Sequence, residues 1–151
     1  MLNKQLALLR ADFALLEEAM QQMEYSIQKC KDLIEMPVEA YTPEALEHIE
    51  AYTARFARLS DMYLKKIIRN IAVMEGYATN SFRETLELGS KLGFIANANV
   101  LLEIRVFRNE IAHDYIPLSQ RKIFVEVNRV LPFLLENIQT SKNYMVQNGW
   151  L

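Results

Sequence analysis

The chain has 151 residues, 51% of them hydrophobic and 24% charged, with a formal net charge of −2 and a pI near 5.8. That length suits one domain over residues 1–151 with a single core, and the acidic balance excludes a surface that binds nucleic acid everywhere, so any such contact must be local. Four Gly and four Pro are too few to punctuate a sandwich or barrel, the single Cys30 excludes an internal disulfide, and no apolar run approaches the ~20 residues of a membrane span. With no leader pattern at the start, the expectation is a cytoplasmic, all-α protein that does not meet a membrane.

Leu2, Leu6, Leu9, Phe13, Leu16, Met20, Met23, Ile27, Cys30 and Ile34 recur at steps of three and four, which predicts a long first helix from about Asn3 to Glu35 with one apolar seam. Pro37 stops it. Thr42-Pro43 restarts the chain as an N-cap followed by proline at the first helical position, and Leu46, Ile49, Phe56, Leu59, Tyr63, Ile67, Asn70 and Met74 carry a matching stripe to about Glu75. Two long antiparallel helices follow from this pairing. Gly76 breaks the second, and Ser81-Phe82-Arg83-Glu84 has capping-box spacing for a short third helix that ends near Leu92 at Gly93.

Asn97 or Asn99 can cap a fourth helix. Its apolar residues Val100, Leu101, Leu102, Ile104, Val106, Phe107 and Ile111 occupy most faces, which predicts burial on more than one side and a central position. Pro117 ends it, Ser119 can cap the fifth, and Pro132 is expected to kink that last helix. The tail with Gly149 and Trp150 can fray or dock. The reading is an up-down antiparallel five-helix bundle.

Chemistry concentrates in Arg108-Asn109-Glu110-Ile111-Ala112-His113-Asp114-Tyr115, at the end of the fourth helix. Arg108 and His113 are offset by about 140° around a helix, whereas Asn109 and His113 share a face. They converge if the helix unwinds toward Pro117, or if two copies of the motif meet across an interface. Two facing copies would supply two imidazoles that titrate near neutrality and two guanidinium forks, a sufficient set for metal-free RNA cleavage. The blander alternative is structural: Arg108 paired with Glu103 or Glu110, and His113 favoured by the helix macrodipole. Lys65, Lys66 and Arg69, and separately Arg105, Arg108, Arg121 and Lys122, form basic clusters that are either binding patches or solvated faces. His48 sits beside Glu47 and Glu50 as an exposed residue, and the Cys and His spacing gives no support for a metal; no cofactor-binding loop is read either.

At the motif the chain resembles the HEPN superfamily and, within it, the HepT-like toxins. RNEIAHDY matches the family's Arg, polar residue, spacers and His, with Tyr115 completing the Arg-x4-His-x-Tyr form, and RFARLSD and RETLELGSKLG resemble a HepT-like subgroup. The resemblance covers the whole chain, since the five-helix layout with the motif at the end of helix four is also the family's. It implies a homodimer with a composite cleft, metal-independent endoribonuclease activity on RNA, and a cognate MNT-type nucleotidyltransferase antitoxin as partner. Arg108, Asn109 and His113 would be the catalytic residues and Tyr115 the site of AMPylation by that partner. The alternative within the same resemblance is a non-catalytic, substrate-binding companion of a minimal nucleotidyltransferase.

Overall fold

The computed structural model describes the backbone of residues 1–113 and 119–151, and the side chains of all of these except Ala112, His113 and Ser119. Its helices are α1 (Leu2–Cys30), α2 (Pro43–Met62), α3 (Ile68–Met74), α4 (Phe82–Leu92), α5 (Ala98–His113) and α6 (Ser119–Gln147). A π turn over Tyr63–Ile67 joins α2 to α3 without a break, so the two form one rod and, among the described residues, five helical rods make the bundle, as expected. None of the described helices is long and apolar enough to cross a membrane.

Side-chain pairs give the packing directions. Arg55 bonds Ser26, Arg58 bonds Gln22 and Asn70 bonds Asp12, so α1 and the α2–α3 rod run antiparallel. Tyr52 meets Asn128 while Tyr63 meets Ser141, which sets α6 parallel to that rod. Glu103 pairs with Arg129 and Asn97 bonds Asn137, so α5 is antiparallel to α6. The four long rods therefore alternate in direction, and short α4 packs beside α3 and α5.

The seam on α1 is the core face: Leu9, Phe13, Leu16 and Met23 are fully covered, while Leu2 at the start is exposed. The polar Asn70 in the second stripe is explained by its amide donating to nearly buried Asp12 at 2.9 Å. Caps fall as predicted. Thr42 accepts from the Ala45 amide, Ser81 from the Glu84 amide, and Gly93 takes φ +99° at the end of α4. Asn97, of the two alternatives, caps α5 through the Val100 amide. Gly89 inside α4 has a reason too: a Cβ there would meet the Ile95 side chain at 2.3 Å and the Phe94 ring at 2.8 Å, so glycine lets the following loop fold back over the helix without displacing them.

Three expectations need correction. First, α1 stops at Cys30 rather than near Glu35: the Leu33 amide bonds the Cys30 carbonyl, three residues back instead of four, and the Leu33 and Ile34 carbonyls that follow are held by Arg121. Second, α5 is not the central helix. Val100, Leu101 and Ile104 are buried but Val106 is 62% exposed; the continuously buried element is the α2–α3 rod, with Phe56, Leu59, Tyr63, Ile67, Ile68 and Ile71 all inside. Third, α6 includes Ser119 as a helical residue instead of starting after it; Pro132 lies inside this helix. The tail docks: the Trp150 amide bonds the Met145 carbonyl, its ring packs on Tyr144, and its carbonyl accepts from Arg10 at 2.7 Å.

One buried polar network ties three elements together. Asn137 on α6 has no solvent exposure, and its side-chain oxygen accepts from the Ala96 and Asn97 amides at 2.9 and 3.0 Å while its amide donates to the Phe133 carbonyl. One turn on, Ser141 donates to the Phe94 carbonyl and meets the buried Tyr63 hydroxyl at 2.8 Å, and that hydroxyl also lies 3.1 Å from the Asn137 carbonyl. Burial pushes the Tyr63 phenol well above its ordinary range, so it stays a neutral donor. Asn137→Ala would leave two part-buried amides without their acceptor and open a space in the core, and should cost about 2–4 kcal/mol. Thermal denaturation followed by circular dichroism should show a midpoint lower by roughly 5–15 °C; an unchanged midpoint would remove the network from this role.

Candidate functional site

The α2–α3 rod, the start of α4 and the second half of α5 enclose a cleft of about 530 Å³. Asp61, Lys65 and Arg69 come from the rod, Thr79 to Phe82 from the approach to α4, and Arg105, Arg108 and Asn109 from α5. Backbone geometry accounts for both charged walls. On α5, residues 105, 108 and 109 are spaced by three and four, hence on one face. Residues 61 and 69 would be offset by about 80° in an unbroken α-helix. The π turn absorbs one residue, so the step of eight counts as about seven and falls only about 20° short of two turns. Asp61, Lys65 and Arg69 are thereby brought to the same wall.

Inside the cleft the Arg108 guanidinium is oriented by two acceptors. Its Nη2 donates to Asp61 Oδ2 at 2.5 Å and its Nη1 to Asn109 Oδ1 at 3.1 Å. Lys65 Nζ lies 3.4 Å from the same Asp61 carboxylate. Arg69 is exposed, and Arg105 lies with its guanidinium 4.6 Å from the centre of the Phe82 ring. On the opposite wall Thr85 donates to the Ser81 carbonyl and is bonded at 2.7 Å to Thr79, which fixes the chain where it enters α4. Among the described residues four cations thus face one carboxylate in this cleft, in a chain whose net charge is −2. Such a site favours a ligand with several negative charges.

Of the residues expected to carry chemistry, Arg108 and Asn109 are together in this cleft. His113 is the last residue of α5, one helical turn beyond Asn109, and its side chain lies outside the described residues; Tyr115 lies wholly outside them. The structural alternative for Arg108 had the wrong partner: Glu103 belongs to Arg129, and Arg108 is paired with Asp61. The two basic clusters of the sequence are each divided. Lys65 and Arg69 join Arg105 and Arg108, whereas Lys66 turns to Asp12 and Arg121 is spent on the Leu33 and Ile34 carbonyls and the Tyr41 hydroxyl. His48 is half-buried rather than exposed and lies 3.6 Å from Glu44. Sequence reasoning passed over Asp61, although it closes the RFARLSD stretch, and Phe82, which was read only as part of a capping box.

No protein-family model matches the chain, and no curated protein or solved structure matches it.

The Asp61–Arg108 pair is about three-quarters covered, so its worth is moderate. In a double-mutant cycle with Asp61→Asn and Arg108→Ala, chemical denaturation should give a coupling of about 0.5–1.5 kcal/mol. Strictly additive losses would mean the pair contributes no stability.

Proposed function

We propose that this chain is a HEPN-type, HepT-like toxin: a metal-independent endoribonuclease that works as a homodimer and is paired with an MNT-type nucleotidyltransferase antitoxin. The observation that carries the reading is the position of the Arg108–Asn109 end of the motif in a cleft where, among the described residues, four cations oppose one carboxylate. Phosphodiester transfer within RNA has demands that such a site can meet. A base removes the 2′-hydroxyl proton as that oxygen attacks phosphorus, the P–O5′ bond breaks, and an acid returns a proton to the departing oxygen. The equatorial oxygens gather negative charge meanwhile, and an oriented guanidinium is suited to it.

In this reading Arg108, steered by Asn109, binds the scissile phosphate, and His113 moves the protons. One motif has one imidazole, so the reading requires the His113 of a second copy as the complementary acid or base. Val106, 62% exposed on α5, gives a second copy apolar surface to cover. Tyr115 would receive AMP from the nucleotidyltransferase, and a phosphate-bearing group so close to the motif would compete with RNA for the cations and silence the enzyme.

Purified protein should cleave single-stranded RNA with EDTA present, leaving 2′,3′-cyclic phosphate and 5′-hydroxyl ends. His113→Ala should lower the rate by at least 100-fold with the helical circular dichroism spectrum retained. Loss of cleavage on chelation, or full activity in the His113→Ala protein, would overturn the mechanism. A protein silent until a nucleotidyltransferase and nucleotide are added would instead be a substrate-binding companion of that enzyme.

A further inference from the structure

The cleft holds more than phosphate-binding charge. Arg105 is exposed, sits one turn before Arg108 on the same face of α5, and its guanidinium is laid over the half-buried Phe82 ring with 4.6 Å between guanidinium carbon and ring centre. A guanidinium that only neutralises phosphate has no need of a ring beneath it. One backed by a ring is restricted in its rotamers and offers a plane, and planes of this kind stack with unpaired bases. Lys65 and Arg69 stand on the facing wall, where the backbone of the same strand would run. The cleft volume of about 530 Å³ is in the range that encloses a small-molecule ligand, enough for a nucleotide turned inward and far too small for a duplex.

We infer that Arg105, backed by Phe82, is a base-stacking platform, and that with Lys65 and Arg69 on the opposite wall it makes the cleft a binding site for single-stranded RNA, one unpaired base entering beside Arg108. This rests on reading the cleft as an RNA site, but it concerns binding and not cleavage. It assigns Arg105 and Phe82, which lie outside the Arg-x4-His-x-Tyr motif, to substrate selection. It also separates two contributions that charge alone would merge: the phosphate contacts set salt dependence, and the platform sets the preference for an unpaired base.

The test uses a probe that cannot undergo attack by a 2′-hydroxyl: fluorescein-labelled 2′-O-methyl octaadenylate, read by fluorescence anisotropy over a series of salt concentrations. Arg105→Lys keeps the charge and loses the plane, so it should weaken binding at least about fivefold while leaving the slope of log affinity against log salt unchanged. Phe82→Leu, which keeps an apolar side chain at the start of α4, should weaken binding in the same direction, with the thermal midpoint checked to confirm folding. The same probe annealed to its complement should bind more weakly than the single strand, and an abasic 2′-O-methyl chain of equal length should bind Arg105→Lys and the parent protein alike. Equal affinity of Arg105→Lys and parent protein for the octaadenylate would overturn the platform, as would a duplex bound as tightly as the single strand, or no binding of the single strand at low salt. A parent protein that binds in this manner and cleaves nothing would leave the platform standing and remove the ribonuclease reading. One that cleaves RNA with Arg105→Lys binding normally would do the reverse.

Discussion

The contact of buried Asn137 with the backbone of Ala96 and Asn97 is the constraint on which the placement of everything else depends. Those two amides precede α5, where no helical carbonyl reaches them, and the side chain of α6 satisfies both at once. The start of α5 is therefore fixed against α6 as well as by its own Asn97 cap. Through Tyr63, the same network reaches the first residue of the π turn in the α2–α3 rod. Both walls of the cleft are then referenced to one buried stretch of α6: the rod that carries Asp61, Lys65 and Arg69, and the helix that carries Arg105, Arg108 and Asn109. A polar network in that position does more for geometry than for net stability, since each hydrogen bond replaces one to water.

Much of the fold was legible because it is written locally. The alternation of three and four from Leu9 to Met23 needs no partner to be recognised, and Thr42, Ser81 and Gly93 act on amides and carbonyls within a few residues of themselves. The misreadings share a different cause. The turn that follows α1 is held by Arg121, some 88 residues away. The count of apolar residues on α5 included Val106, which the other rods leave uncovered, and the continuously buried element is the α2–α3 rod. Nothing in YLKKI announces a π turn; it coincides with Tyr63 being held by α6.

The candidate site divides in the same way. The motif at Arg108 and Asn109 was visible as a pattern, and the structure brings those two residues into one cleft. The convergence of Lys65 and Arg69 with Arg105 was not visible, because clusters that are about 40 residues apart in sequence become neighbours only through packing. Asp61 was invisible for a related reason: a carboxylate on a helix surface looks solvated until a guanidinium 47 positions later is found against it. Nonlocal pairing, not weak chemistry, set the limit of what the sequence disclosed.

The Asp61–Arg108 pair means that the guanidinium is never bare, so an incoming anion exchanges one carboxylate for itself and gains little by doing so. A lone phosphate or a free metabolite faces that exchange unaided. A linked series of charges does not: once one is held at Lys65, Arg69 or Arg105, the next is tethered near Arg108 at a high effective concentration and can displace the resident acid. For the polyanion proposed above, the internal counter-ion would act as a valency filter, giving the cleft a threshold in ligand length as well as in charge.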